Sequence, residues 1–82
     1  MATIEKIFMD VMLGRKDNNI KFSDLQKLLD VLGFEVHTKG SHNIYSYDGA
    51  VELINIQPIG NKAKGYQVKQ VRNFILKYGL EV

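Results

Sequence analysis

Between Phe34 and Gln57 the chain gives up helical spacing for alternation, and two tight-turn signals, Gly40-Ser41 and Asp48-Gly49, cut that run into three pieces. The pieces read as strands over residues 34–39, 42–47 and 50–57, the last closed by Pro58, which has no N–H to give a ladder. Asp48-Gly49 suits a type I′ turn, which needs positive φ at both central positions, and Gly40-Ser41 suits a type II′ turn, which needs glycine first. Two such hairpins in succession leave little freedom. They specify a three-stranded antiparallel meander, and with it a register.

Two-residue turns would gather Phe34, Val36, Tyr45, Tyr47, Ala50, Ile54 and Ile56 on one face, diluted by Thr38, Asn43 and Glu52. This is the face that helices are expected to cover. The other face receives Glu35, His37, Lys39, His42, Ser46, Asn55 and Gln57, together with Ile44, Val51 and Leu53. It would pair His42 with Lys39 across the first turn, both in solvent. A three-residue loop at Lys39-Gly40-Ser41 would instead turn His42 toward the helices.

Outside this run the apolar period is helical. Ile4, Ile7, Phe8 and Val11 predict a helix over 3–13, with Thr3 as N-cap and Gly14 as its stop, followed by a polar connector through Arg15-Lys16-Asp17-Asn18-Asn19. Ser23 and Gln26 fit a capping box, and Leu25, Leu28, Leu29 and Leu32 supply the stripe of a second helix over 24–32 that ends at Gly33. Residues 59–65 read as a loop rich in Gly, Asn and Lys. Val68, Val71, Phe74, Ile75 and Tyr78 then mark a last helix over 66–77, closed by Gly79. The order α-α-β-β-β-α describes an α+β two-layer sandwich with its helices on one side of an antiparallel sheet.

A chain of 82 residues is expected to form one domain with a small core. Its hydrophobic content of 45% and charged content of 24% disfavour disorder. No apolar run approaches the roughly 20 residues that span a bilayer, and no signal-peptide pattern opens the chain, so no membrane role and a cytoplasmic location are expected. The absence of cysteine excludes disulfides and thiolate metal sites, and His37 and His42 are too few for a histidine-only zinc site; no cofactor or metal is called for. The net charge is only +2, but Lys62, Lys64, Lys69, Arg72 and Lys77 follow one another without an intervening acid. That C-terminal quarter is either a solvated basic face or a surface for a polyanion.

RNA can be cut by turning its own 2′-hydroxyl against the neighbouring phosphate, which takes a proton acceptor, a proton donor and a cation. Histidine suits the proton transfers because its ordinary pKa of ~6.5 makes both forms accessible near neutrality. Lys39, Lys62, Lys64, Lys69 and Arg72 can place and neutralise phosphates. His42 and His37 are the imidazoles available, each equally at home as an ordinary strand-surface residue. Tyr45 and Tyr47 could stack on bases but fall on the core face. Ser41 is better explained by the turn than as a nucleophile.

The segments Phe22-Ser23-Asp24-Leu25-Gln26-Lys27-Leu28-Leu29, Leu32-Gly33-Phe34-Glu35-Val36, Lys39-Gly40-Ser41-His42-Asn43-Ile44-Tyr45, Asn61-Lys62-Ala63-Lys64 and Tyr66-Gln67-Val68-Lys69-Gln70-Val71-Arg72 together resemble the HicA toxin family over roughly residues 20–80. The resemblance implies a double-stranded-RNA-binding-like fold, an mRNA interferase that blocks translation, and a cognate HicB-type antitoxin that covers the active site. It carries the family's catalytic histidine onto His42 alone, through Gly-Ser-His. Gly65 departs from the pattern, since relatives often place proline there, and the helix and connector of residues 1–19 lie outside the compact core of the shortest members. Joined to the face assignment, it makes Ile44, Val51 and Leu53 an apolar cluster beside His42 for the antitoxin to cover. The free toxin is expected to be a monomer. A non-catalytic RNA-binding module using the same basic surface is the other reading.

Overall fold

Three helices form where the apolar spacing places them: α1 over Ile4–Leu13, α2 over Phe22–Leu32 and α3 over Gly65–Tyr78. The structure is a computed structural model that describes residues 3–40 and 42–82. Thr3 caps α1 by accepting the Lys6 N–H at 3.2 Å, and each helix ends at a left-handed glycine, Gly14, Gly33 or Gly79.

The start of α2 differs from expectation. No capping box forms: Ser23 lies inside the helix, and Lys21 occupies the cap position without a side-chain bond. The helix is begun by a backbone tie, in which the Phe22 N–H donates to the Asn61 carbonyl at 2.9 Å, while the Ala63 N–H donates to the Ile20 carbonyl at 2.9 Å.

The sheet has the order β1-β2-β3, with β1 over Glu35–Lys39, β2 over His42–Ser46 and β3 over Leu53–Ile56, all antiparallel. Lys39 pairs with His42, so the first turn has two residues; Gly40 sits at φ 61°, and the turn role of Ser41 lies outside the described residues. The second connection is wider than a two-residue hairpin. Ser46 pairs with Leu53, leaving 47–52 as a loop and removing Ala50, Val51 and Glu52 from the strand. Gly49 has φ 89° while Asp48 does not have a positive φ, and the Ala50 N–H donates to the Tyr47 carbonyl at 3.0 Å. That is the pattern of a type II turn, not of type I′. The loop is drawn toward α3 by its side chains. Tyr47 packs 5.0 Å from Phe34 and 5.8 Å from Phe74, and Glu52 bonds Lys77 and Tyr78.

Tyr45 consequently stands opposite Ile54 rather than Glu52, a slip of two residues that keeps the paired residues Leu53–Ile56 on their expected faces. Tyr45, Ile54 and Ile56 are buried against Ile7 and Val11 of α1, Leu25, Leu28 and Leu29 of α2, and Val68, Val71 and Ile75 of α3. Each such side chain contributes about 1.5–3 kcal/mol relative to exposure. Val36, expected in this core, is 48% exposed, because β1 is an edge strand that overhangs the helical layer. The segment read as a loop holds a second hairpin, β4 over Pro58–Ile59 and β5 over Lys62–Ala63, turned at Gly60-Asn61. The radius of gyration is 11.6 Å, as a chain of this length closed around one core requires.

Candidate functional site

His42 is the first residue of β2, and the two-residue turn decides where it points. It faces away from the helices, exposed, with Lys39 as its cross-strand partner. The slip in register brings Gln57, not Asn55, opposite its ring. The Gln57 Nε2–H donates to His42 Nδ1 at 2.7 Å, with the same nitrogen 3.5 Å from Nε2, and Asn55 Nδ2–H reaches Nδ1 at 3.4 Å. With the amide N–H toward the ring Nδ1 is the acceptor of this pair, and with the amide turned by half a rotation its oxygen would accept from Nδ1–H instead.

Gln57 is itself held from beneath. Its backbone N–H donates to Oε1 of Gln67 at 3.2 Å. Gln67 is 1% exposed and projects from α3 into the core side of the molecule, the sole buried polar or charged side chain among the described residues. An amide placed there needs a partner, and Gln57 supplies it. A line of hydrogen bonds thus runs from the core-facing side of α3 to the imidazole on the opposite face of the sheet.

On the same open face His37 is exposed on β1 opposite Ile44, so it is a diagonal neighbour of His42 rather than a partner of it. Ile44 is half-buried, Leu53 is 58% exposed and Val51 is 92% exposed. Val51 stands in the loop and not on the strand, so the apolar cluster spans the end of β3 and the start of its connection.

The basic residues divide into two groups. Lys62, Lys64 and Tyr66 border a groove of about 430 Å³ together with Asn18, Ile59 and Gly65, and Lys69 adjoins it one helical turn further along. Tyr66 is 66% exposed and Lys64 Nζ lies 5.9 Å from its ring centre, so an aromatic face and ammonium groups share one surface. Sequence reading passed over Tyr66, although its place at the start of a helix beside three lysines is the signal that marks it.

Arg72 belongs elsewhere. Expected on the exposed basic face, it turns inward: Nη1 donates to Asp17 Oδ1 at 2.9 Å and to the Val11 carbonyl at 3.1 Å, and Nη2 donates to Asp17 Oδ2 at 3.2 Å. Gly14 permits this approach, since a Cβ there would lie 3.0 Å from Nη1. With three of its N–H donors engaged and its side chain 15% exposed, Arg72 joins α1 and the following connector to α3 rather than lying open for phosphate.

No family model, curated protein or solved structure matches the chain. The site therefore has to be judged on its own chemistry. Among the described residues no three His, Asp or Glu side chains cluster to hold a metal ion, and no helix is long and apolar enough to cross a membrane. The remaining strong ionisation effect is structural. The Lys77 ammonium and the Tyr78 hydroxyl lower the Glu52 carboxyl to about 2.

Proposed function

We propose that the chain is an RNA-cleaving toxin of the HicA type, a cytoplasmic mRNA interferase on a double-stranded-RNA-binding-like scaffold, with His42 as its general acid or base. The observation that carries the reading is the placing of His42: exposed on the helix-free face, beside Lys39, with the Gln57 amide closest to Nδ1.

In the reaction the imidazole, in the tautomer whose Nδ1–H donates to the turned Gln57 amide and whose lone pair is on Nε2, takes the proton of a 2′-hydroxyl, the 2′-oxygen bonds to phosphorus, and the bond from phosphorus to the 5′-oxygen breaks, that oxygen leaving with a proton from solvent. Lys39 offsets the charge that develops on the phosphoryl oxygens. Lys62, Lys64 and Lys69 hold the backbone along the groove, and Tyr66 offers a face on which an unpaired base can stack. Nothing in this sequence of steps calls for a metal. A HicB-type antitoxin would neutralise the free, monomeric toxin by covering Ile44, Val51, Leu53 and His42 together.

The test is the identity of the products. RNA cut by this route ends in a 2′,3′-cyclic phosphate and a 5′-hydroxyl, is cut equally well in excess chelator, and is not cut when the nucleotide 5′ of the scissile bond is a deoxynucleotide. Products ending in 3′-hydroxyl and 5′-phosphate would refute it. The exposed Tyr66 beside the lysines also fits a non-catalytic RNA-binding module, for which binding without any cleavage is the distinguishing result.

A further inference from the structure

The notable feature of the open face is that His42 is met by amides and not by a carboxylate. Among the described residues the groups facing its ring are few. β3 and its extension bring the neutral Asn55 and Gln57, β1 brings Lys39 and, diagonally, His37, and the helices lie on the far side of the sheet. Gln57 makes the close contact at 2.7 Å, against 3.4 Å for Asn55. Its position is fixed through its own backbone by the buried Gln67 rather than by its exposed surroundings.

We propose that Gln57 is the positioning residue of the site, holding the His42 ring by Nδ1 so that Nε2 is the atom that exchanges a proton with RNA; this rests on the cleavage reading given above. An amide suits the task because it has two ends. With its N–H toward the ring it holds the form in which Nε2 carries the proton. Turned by half a rotation, its oxygen accepts from Nδ1–H, which holds both the imidazolium and the neutral form with a lone pair on Nε2. The ring keeps its direction while its proton count changes. A carboxylate at the same place can only accept, so it would hold Nδ1–H and raise the pH at which the ring gives up its second proton.

The experiment has two arms, and Gln57→Ala and Gln57→Glu are both expected to fold, because the side chain lies outside the core. In the first arm the free protein is titrated by NMR at the His42 ring. Gln57→Glu is expected to raise the midpoint by about one pH unit over the unaltered protein, and Asn55→Asp by less. A Gln57→Glu midpoint within about 0.3 unit of the unaltered one places the side chain away from the ring and overturns the proposal. In the second arm cleavage of a short RNA is followed. Gln57→Ala is expected to lower kcat about tenfold with KM unchanged, and Gln57→Glu to move the pH–rate profile to higher pH by the shift seen in the titration. A titration that moves while the cleavage profile does not would overturn the positioning role. Cleavage that survives His42→Ala unchanged would instead remove the underlying reading, whatever the titration shows.

Discussion

Replacing Arg72 separates a clasp from a phosphate contact. Its guanidinium makes a forked pair with Asp17 and a third bond to the Val11 carbonyl, with the two side chains 15% and 21% exposed. Fully exposed pairs of this kind contribute about 0.2–1 kcal/mol, and removing one partner of a fully buried pair costs about 3–5 kcal/mol. Arg72→Ala, lying between them and stranding both a carboxylate and a carbonyl, should cost about 2 kcal/mol. For a domain whose whole stability is about 4–12 kcal/mol this is a large loss, and it should lower Tm by roughly 8–16 °C in a calorimetric scan. Arg72→Lys keeps the charge but loses the fork, and should cost about 1 kcal/mol. Measured well below Tm, both variants should bind RNA within about twofold of the unaltered protein with the same salt dependence, since this cation does not face solvent. An Arg72→Ala protein of unchanged Tm and a shallower salt slope would refute the argument and return Arg72 to the RNA surface.

Three further outcomes follow from the same structure. Replacing Lys62, Lys64 and Lys69 together by alanine should weaken RNA binding and flatten its log–log salt slope by about 2, as read by anisotropy titration at several salt concentrations; an unchanged slope would exclude the groove from the phosphate track. Glu52 is a carboxylate lowered to about 2 from its ordinary 4.5, so it binds fewer protons folded than unfolded between those values. Its contribution is therefore fully present above pH 4.5 and is lost as pH falls toward 2, and a series of Tm values over that window should fall less steeply in Glu52→Gln, a parallel fall counting against the pairing. Leu53→Asp should weaken a HicB-type antitoxin at least tenfold in a pull-down or calorimetric titration while leaving RNA cleavage intact, and unchanged antitoxin affinity would remove the apolar cluster from the interface.

Much of this site is legible in the sequence because its determinants are local. Gly40 fixes a two-residue turn, the turn fixes the parity of β2, and parity alone sends His42 outward. The same parity holds although the hairpin expected at Asp48-Gly49 does not form, since a slip of two residues returns the side chains of Leu53–Ile56 to their own faces. What could not be read is what depends on distant partners. The pairing of Glu52 with Lys77 and Tyr78 opens the second loop, and it joins residues far apart in the chain. The same slip carries Gln57 to His42, so its role was hidden behind a register that no local rule supplies. Ser23 failed as a cap because a backbone bond from Phe22 to Asn61 starts the helix earlier. Arg72 looked exposed on helical periodicity, yet Asp17 and the end of α1 close over it.

Whether His42 does the proton transfer is read from single-turnover cleavage of a short RNA by the His42→Ala protein, with affinity measured on the same RNA. A general acid or base typically contributes about 10²–10⁴ in rate, so the account predicts a loss of at least about 10² with Kd within about twofold. Cleavage by His42→Ala within tenfold of the unaltered protein would contradict it.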